Sequence, residues 1–415
     1  MIKKAFLFPG QGSQYVGMGK ALCEQFKVAA DVFEQASDAL GEDIRKLCFD
    51  SPLEELTLTQ NAQPAILTVS KAMYEVFLQE VGVTPEIMAG HSLGEISALT
   101  CAGAIDFSDA VKIARKRGQF MQQAVEPGKG LMAAVQTRDV AKLDEICTEA
   151  STEDSIVSIS NYNTGVQTVI SGDKKAVETA MEMIEKEGMK ATLLNVSAPF
   201  HCPLMKPAAE VLGEELKKYT FHDPSCIVLS NVTATPYEGK DSIVENLTKQ
   251  LLMPVQWVDS MKYMKRSMVR YGVELGPKDV LKKMMKKNIA DIPVIAYDDT
   301  KDAERAKRYI DSLYIPFLTR SMGIAVATKN NNWNTQDYEK GVVEPYQKIQ
   351  RIQQQIEEEN RTATEEEMKE AIQMLLSVFK TKQISEQEQM KRFAQLFNET
   401  GTQKLFADFK VPTIS

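Results

Sequence analysis

Histidine is scarce in this 415-residue chain: there are three. A serine or cysteine nucleophile that needs an imidazole base can therefore draw only on His91, His201 or His222. The six cysteines, Cys23, Cys48, Cys101, Cys147, Cys202 and Cys226, lack Cys-x-x-Cys spacing, which argues against a zinc site or a disulfide framework and fits a reducing cytoplasm. No apolar run approaches the roughly 18 residues of a membrane span. The run behind Lys3 and Lys4 covers only residues 5–8 before Pro9-Gly10 stops it, too short for a signal peptide. Positive charge is in deficit as well: a net charge of -8 lacks the basic footprint of nonspecific nucleic-acid binding. Neither nucleic acid nor membrane is an expected partner. The local basic runs, Arg115-Lys116-Arg117 and Lys278 to Lys287, read as solvated helix faces or as a contact for an acidic protein.

What is present is ample apolar material, 43% of residues, enough for more than one core in a chain of this length. Residues 1–127 read as a strand over 4–8, a glycine-rich loop, an amphipathic helix over 64–81, then a strand and helix around Ser92. Over 128–198 the rhythm becomes strand 131–135, helix 140–150, strand 156–160, strand 166–170, helix 174–187 and strand 191–196. That β-α-β-β-α-β order is the ferredoxin-like motif, read as a small inserted domain. Alternation resumes over 199–315 with helix 203–218, strand 226–231, two helices, strand 273–275, helix 279–287, strand 292–296 and helix 303–313. The expected fold is thus α/β: a large, discontinuous, hydrolase-like domain with a ferredoxin-like insert, followed by a helical extension over 316–415. Two helices of the extension carry capping-box spacing, Thr364 with Glu367 and Ser385 with Glu388. The two large-domain segments flank a cleft against the insert, a favoured place for ligands.

The hexapeptide GHSLGE, residues 90–95, falls at a strand-to-helix junction. Gly-x-Ser-x-Gly there is the signature of a nucleophile elbow, which would make Ser92 reactive; a glycine-serine turn that only caps the helix is the alternative. His91 adjoins Ser92 and His222 lies in a turn-like stretch. His201, ahead of the helix that starts at Pro203, is the candidate base, with a buried or capping histidine as its alternative. Acids of the insert such as Asp144, Glu145, Glu178 and Glu182 fall on solvent-facing helix positions, so no carboxylate completes a triad. A backbone carbonyl would suffice for a substrate as activated as a thioester. The N–H of Leu93 and the loop PGQGSQ, residues 9–14, can supply oxyanion donors. The loop has no third glycine to complete a dinucleotide fingerprint.

With these residues gathered, positions 1 to about 315 resemble the malonyl-CoA:acyl carrier protein transacylase family of fatty acid and polyketide synthesis. The resemblance rests on FPGQGSQ (8–14), TQNAQPAI (59–66), GHSLGE (90–95), RGQFMQ (117–122), SNYN (160–163), SAPFHCPLM (197–205), QLLMPVQW (250–257) and ELGP (274–277). It implies an acyl-accepting Ser92, a base His201 oriented by the backbone carbonyl of Gln250, oxyanion donors at Gln11 and Leu93, and Arg117 paired with the free carboxylate of malonyl. It also implies that Gln63, Asn163 and His91 line the pocket, and Phe200 is like the residue of malonyl-preferring members. The implied substrates are malonyl-CoA and the phosphopantetheine thiol of an acyl carrier protein, with no permanently bound cofactor and no metal. An editing hydrolase acting on acyl carrier proteins is the alternative on the same scaffold; such members tend to lack the arginine. The sequence Gly276-Pro277-Lys278-Asp279 departs from the family's usual GPGK, altering a helix start. The extension resembles those of stand-alone acyltransferases of polyketide pathways, with a docking module and a structural cap as its two readings.

Overall fold

The computed structural model describes residues 2–126, 128–196, 198–403 and 405–411; the segment boundary expected at 127 and Ser197, the first residue of the SAPFHCPLM motif, lie outside these. The described residues form two compact units, Lys3–Lys307 and a second from Arg308 onward.

The first unit carries nine strands among its described residues: β1 (Lys3–Phe8), β2 (Ile87–Gly90), β3 (Gly130–Gln136), β4 (Val157–Thr164), β5 (Gln167–Asp173), β6 (Lys190–Leu193), β7 (Ile227–Leu229), β8 (Val269–Glu274) and β9 (Val294–Ala296). Five pair in parallel in the order β7-β2-β1-β8-β9. The central β1 is apolar and fully buried from Ala5 to Phe8, as a strand covered on both faces must be. Alternation splits its residues: Ala5 and Leu7 join Trp257, Met261 and Met264 on one face, while Phe6 meets Phe77 edge-on, ring centroids 5.2 Å apart, on the other. This register brings the ends of β1, β2 and β7 side by side, so the loops after them converge at the carboxyl edge, where open α/β sheets bind ligands.

The remaining strands form an antiparallel sheet, β4-β5-β3-β6. Helices Val140–Ala150 and Lys174–Lys186 bury Leu143, Ile146, Val177, Ala180 and Ile184 against Ala133, Val135 and Ile170. Two backbone hydrogen bonds, Tyr162 N–H to Val255 O and Val255 N–H to Ser160 O, each 2.9 Å, fasten this sheet to the chain beside the parallel one.

Three expectations for the first unit are corrected here. The helix expected from residue 64 spans Thr59–Val81, with Pro64 inside it. An internal proline strands the carbonyl four residues back, and that carbonyl, Gln60 O, instead accepts from Arg115 Nη1 at 2.9 Å. The run Arg115-Lys116-Arg117 is not a solvated face: Arg115 and Arg117 are 6% and 1% exposed. The strand expected at 273–275 begins at Val269, because Val269 and Tyr271 alternate inward around exposed Arg270.

In the second unit, helices Phe317–Ala327, Glu344–Glu358, Glu365–Thr381 and Glu386–Thr400 enclose a core that includes Phe317, Leu375, Phe379, Phe393 and Leu396. The capping box at Thr364 and Glu367 is complete. At Ser385 only half of one forms: its hydroxyl accepts from Glu388 N–H at 3.3 Å, while the Glu388 carboxylate pairs forward with Arg392. Among the described residues no helix is long and apolar enough to cross a membrane.

Candidate active site

β2 ends at Gly90 and helix Leu93–Cys101 begins at Leu93, leaving two residues to reverse the chain. Ser92 does so with φ 53° and ψ -107°, a sparsely populated positive-φ conformation that costs a non-glycine residue on the order of 1–3 kcal/mol. The flanking glycines are a steric requirement. A Cβ on Gly90 would sit 1.8 Å from the carbonyl of Gly94, and one on Gly94 would sit 1.9 Å from Phe8 O at the end of β1. Asn231, in the loop after β7, ties the turn down: its Oδ1 accepts from Ser92 N–H and its Nδ2 donates to Gly90 O, both at 2.7 Å.

His201 reaches the elbow from the segment ahead of the turn Pro203–Met205. It too has positive φ, 57°, and is buried. Its Nε2 lies 2.8 Å from Ser92 Oγ and its Nδ1 lies 2.7 Å from the backbone oxygen of Gln250. Gln250 closes helix Ile243–Gln250, so its carbonyl is one of the last four that a helix leaves without an internal donor. A carbonyl can only accept; the proton therefore sits on Nδ1 and the Nε2 lone pair faces the serine. Burial, the Arg117 cation and His91 together hold the His201 imidazole down to about 3, against the hydrogen bond to Gln250. A neutral imidazole is the form that can take a proton.

Arg117, from helix Phe107–Gln123, lies beside the pair. Its Nη2 donates to Ser92 Oγ at 3.1 Å and to Gln250 Oε1 at 2.7 Å, and its Nη1 donates to Gln63 Oε1 at 2.8 Å. Because Arg117 can only donate, the Ser92 hydroxyl hydrogen is left to point at His201. The buried Nε–H of Arg117 has no acceptor among the described residues. Burial lowers the guanidinium to about 10, with Glu95 opposing, so it stays charged at neutral pH.

These groups open on a cleft of about 200 Å³ lined by Gln11, His91, Ser92, Leu93, Arg117, Asn163, Phe200 and His201, together with Met121, Met132 and Met284. Leu93 is the first residue of its helix, so its N–H is free of any intrahelical acceptor, and Gln11, in the loop after β1, lines the same cleft. His91 points away from the serine: its Nε2 meets Asn163 Oδ1 at 2.9 Å and its ring stands edge-on to Trp257. Gln63, expected along the pocket, sits behind Arg117 instead, because its oxygen is spent on the guanidinium and its Nε2 reaches Met121 Sδ at 3.5 Å. His222 is exposed and apart. Among the described residues no group of three His, Cys, Asp or Glu could hold a metal ion.

The structure adds residues that the sequence reading passed over: Asn231, Tyr237 and Glu95. Glu95 is fully buried under Gln250, and burial pushes its carboxyl up to about 7 against hydrogen bonds from Tyr237, Gln250 and Asn231 and the charge of Arg117. Its signal was available, since it ends the GHSLGE string itself.

Residues 5–314 match the family model described as the acyl transferase domain. A malonyl CoA-acyl carrier protein transacylase of Bacillus subtilis is 41% identical over 394 residues, covering 93% of this chain and 98% of the relative, and so aligns with most of the helical extension as well. The crystal structure of a malonyl CoA-acyl carrier protein transacylase from Clostridium perfringens ATCC 13124 is 42% identical, with a TM-score of 0.72 over 75% of this chain and 98% of that one. A malonyl-transacylase solved in complex with its holo type II polyketide synthase acyl carrier protein is 39% identical, with a TM-score of 0.72 over 74% of this chain and 99% of that one. The elbow, the buried arginine beside it and this likeness across the whole first unit lead to one conclusion: the chain belongs to the malonyl CoA-acyl carrier protein transacylases, a family of acyltransferases.

Proposed function

We propose that the chain transfers malonyl from coenzyme A to the phosphopantetheine thiol of an acyl carrier protein by a ping-pong route through acyl-Ser92. Ser92 Oγ attacks the thioester carbonyl as its proton passes to His201 Nε2. The N–H groups of Gln11 and Leu93 stabilise the oxyanion. The C–S bond then breaks, and the departing thiolate takes the proton from His201. In the second half, His201 accepts the proton of the carrier's thiol, the thiolate attacks acyl-Ser92, and the serine leaves with that proton restored. The Arg117 guanidinium pairs with the malonyl carboxylate, for which its buried, unpartnered Nε–H is suited, in charge-assisted hydrogen bonds. His91, Asn163 and Phe200 shape the pocket, Gln250 orients His201, and no resident cofactor is called for.

One observation carries this reading: the relay Ser92 Oγ, His201 Nε2 and Nδ1, Gln250 O, with contacts of 2.8 and 2.7 Å and a buried arginine on the same hydroxyl. Intact-mass measurement after exposure to malonyl-CoA tests it. The wild-type chain should gain one malonyl group and Ser92→Ala none; a malonylated Ser92→Ala protein would end the proposal.

The same reading retains the four-segment division at 127, 198 and 315. The strand order of the antiparallel sheet, second-third-first-fourth by its own count, supports a ferredoxin-like insert, and the elbow geometry supports a hydrolase-like large domain. Helix Thr300–Ser312 runs through the point where the second compact unit starts, so the extension's first residue sits close to, but not at, that point. Buried, unpaired thiols at Cys48, Cys101, Cys147 and Cys202 are in keeping with a reducing cytoplasm.

A further inference from the structure

We propose that Glu95 is a positioning residue for substrate choice: through the side chain of Gln250 it sets the orientation of Arg117, and so the preference for an acyl donor that carries a free carboxylate. The inference rests on the reading of Arg117 given above. Its structural basis is a chain of contacts with one polarity. Glu95 Oε1 accepts from the Tyr237 hydroxyl. Its Oε2 accepts from Asn231 N–H at 3.1 Å and from Gln250 Nε2 at 2.5 Å. Gln250 Nε2 also donates to Ser92 O at 3.0 Å.

A glutamine amide can be turned over, exchanging its oxygen and nitrogen, at little cost unless its surroundings choose. Here two acceptors, the Glu95 carboxylate and Ser92 O, surround one end, so that end must be the NH2. The oxygen is thereby forced toward Arg117 Nη2, 2.7 Å away. The backbone oxygen of the same Gln250 holds His201 Nδ1. One residue thus serves both the base and the guanidinium, and of its two branches Glu95 touches the side chain, since the backbone carbonyl is fixed by its helix. Without the Glu95 carboxyl group, the amide loses one of its two acceptors, and its oxygen is no longer held toward Arg117. The branch that reads the substrate's carboxylate should loosen while the serine-imidazole relay stands.

The test compares rates of Ser92 acylation by malonyl-CoA and acetyl-CoA in Glu95→Ala, Glu95→Gln, Tyr237→Phe and Arg117→Ala full-length proteins. A misplaced guanidinium should lower kcat/KM for malonyl by about a hundredfold in Glu95→Ala, with a much smaller loss for acetyl. Glu95→Gln should recover most of the malonyl rate, because its amide oxygen still accepts from Gln250 and its NH2 can face the Tyr237 oxygen. Tyr237→Phe should shift the malonyl-to-acetyl ratio in the same direction, more weakly, and serves in place of Glu95→Ala if that variant does not fold. Equal losses for both donors, or no recovery with glutamine, would overturn the role of Glu95. If Arg117→Ala itself leaves the donor ratio unchanged, the reading of Arg117 fails; if Arg117→Ala collapses the ratio while Tyr237→Phe and Glu95→Ala do not, only the inference about Glu95 fails.

Discussion

In the roles proposed for them, the Arg117 cation and the His201 base, held against the same hydroxyl, have opposite needs. The guanidinium must stay charged to hold a carboxylate, and the imidazole must stay neutral to accept a proton. Burial depresses both, to about 10 and about 3, and both end in the useful form near pH 7. Arg117 itself contributes to the lowering at His201, since a nearby positive charge disfavours imidazolium. Removing the cation must then raise the imidazole toward its ordinary value of about 6.5. Only three histidines are present, so their ring signals are assignable by NMR. His201 should show no titration between about pH 5 and 8 in the wild-type protein, and its midpoint should rise in Arg117→Ala; a wild-type midpoint near 6.5 would contradict a desolvated base. At this scale the sequence was informative wherever chemistry is written as a short string. Ser92 and His201 stand in such strings, and the lack of a candidate triad acid in the sequence left room for a carbonyl, the group that His201 Nδ1 meets at Gln250. Glu95 was passed over because a carboxylate in a helix's first turn is ordinarily solvated, and its burial depends on Tyr237, Asn231 and Gln250, 136 to 155 residues away.

Strands and helices were legible where periodicity alone determines them. Helix Val140–Ala150 and the apolar strand β1 are of this kind. Helix Thr59–Val81 was not, since proline read locally is a start signal. What overrides it is Arg115, which reaches across to Gln60 O at 2.9 Å, to Asn61 Oδ1 at 2.5 Å and to Glu42. A charged donor thus replaces the missing backbone N–H. Arg115→Met keeps the bulk of the side chain but leaves the Gln60 carbonyl and the Asn61 amide oxygen short of a donor. Charged hydrogen bonds of this kind contribute about 1.5–3 kcal/mol, so the variant should lose about 2 kcal/mol in denaturant unfolding. A loss within about 0.5 kcal/mol, the range of an ordinary surface substitution, would mean that water serves the Gln60 carbonyl equally well.

The described residues form two units with separate apolar cores: the first has one cluster around β1 and another between the antiparallel sheet and its helices, and the second is built on Phe317, Phe379 and Phe393. The sequence announced the second only as amphipathic helices, because its closure depends on a contact with no sequence signature. Lys382, 3% exposed, donates from Nζ to Ala325 O and Thr328 O, each at 2.8 Å, at the end of helix Phe317–Ala327. A cation at a helix C-terminus satisfies terminal carbonyls and complements the helix dipole. Lys382→Met would keep the apolar stem and leave those carbonyls buried without this donor, at a cost of about 2 kcal/mol. For a unit of roughly 100 residues each kcal/mol moves the midpoint by about 4–8 °C. Calorimetry of the full chain should therefore show the second unit's transition about 10 °C lower, while the first unit's transition and the malonylation of Ser92 are unchanged. A single transition that moves as a whole, with acylation falling alongside it, would mean that the extension and the catalytic unit fold as one cooperative body.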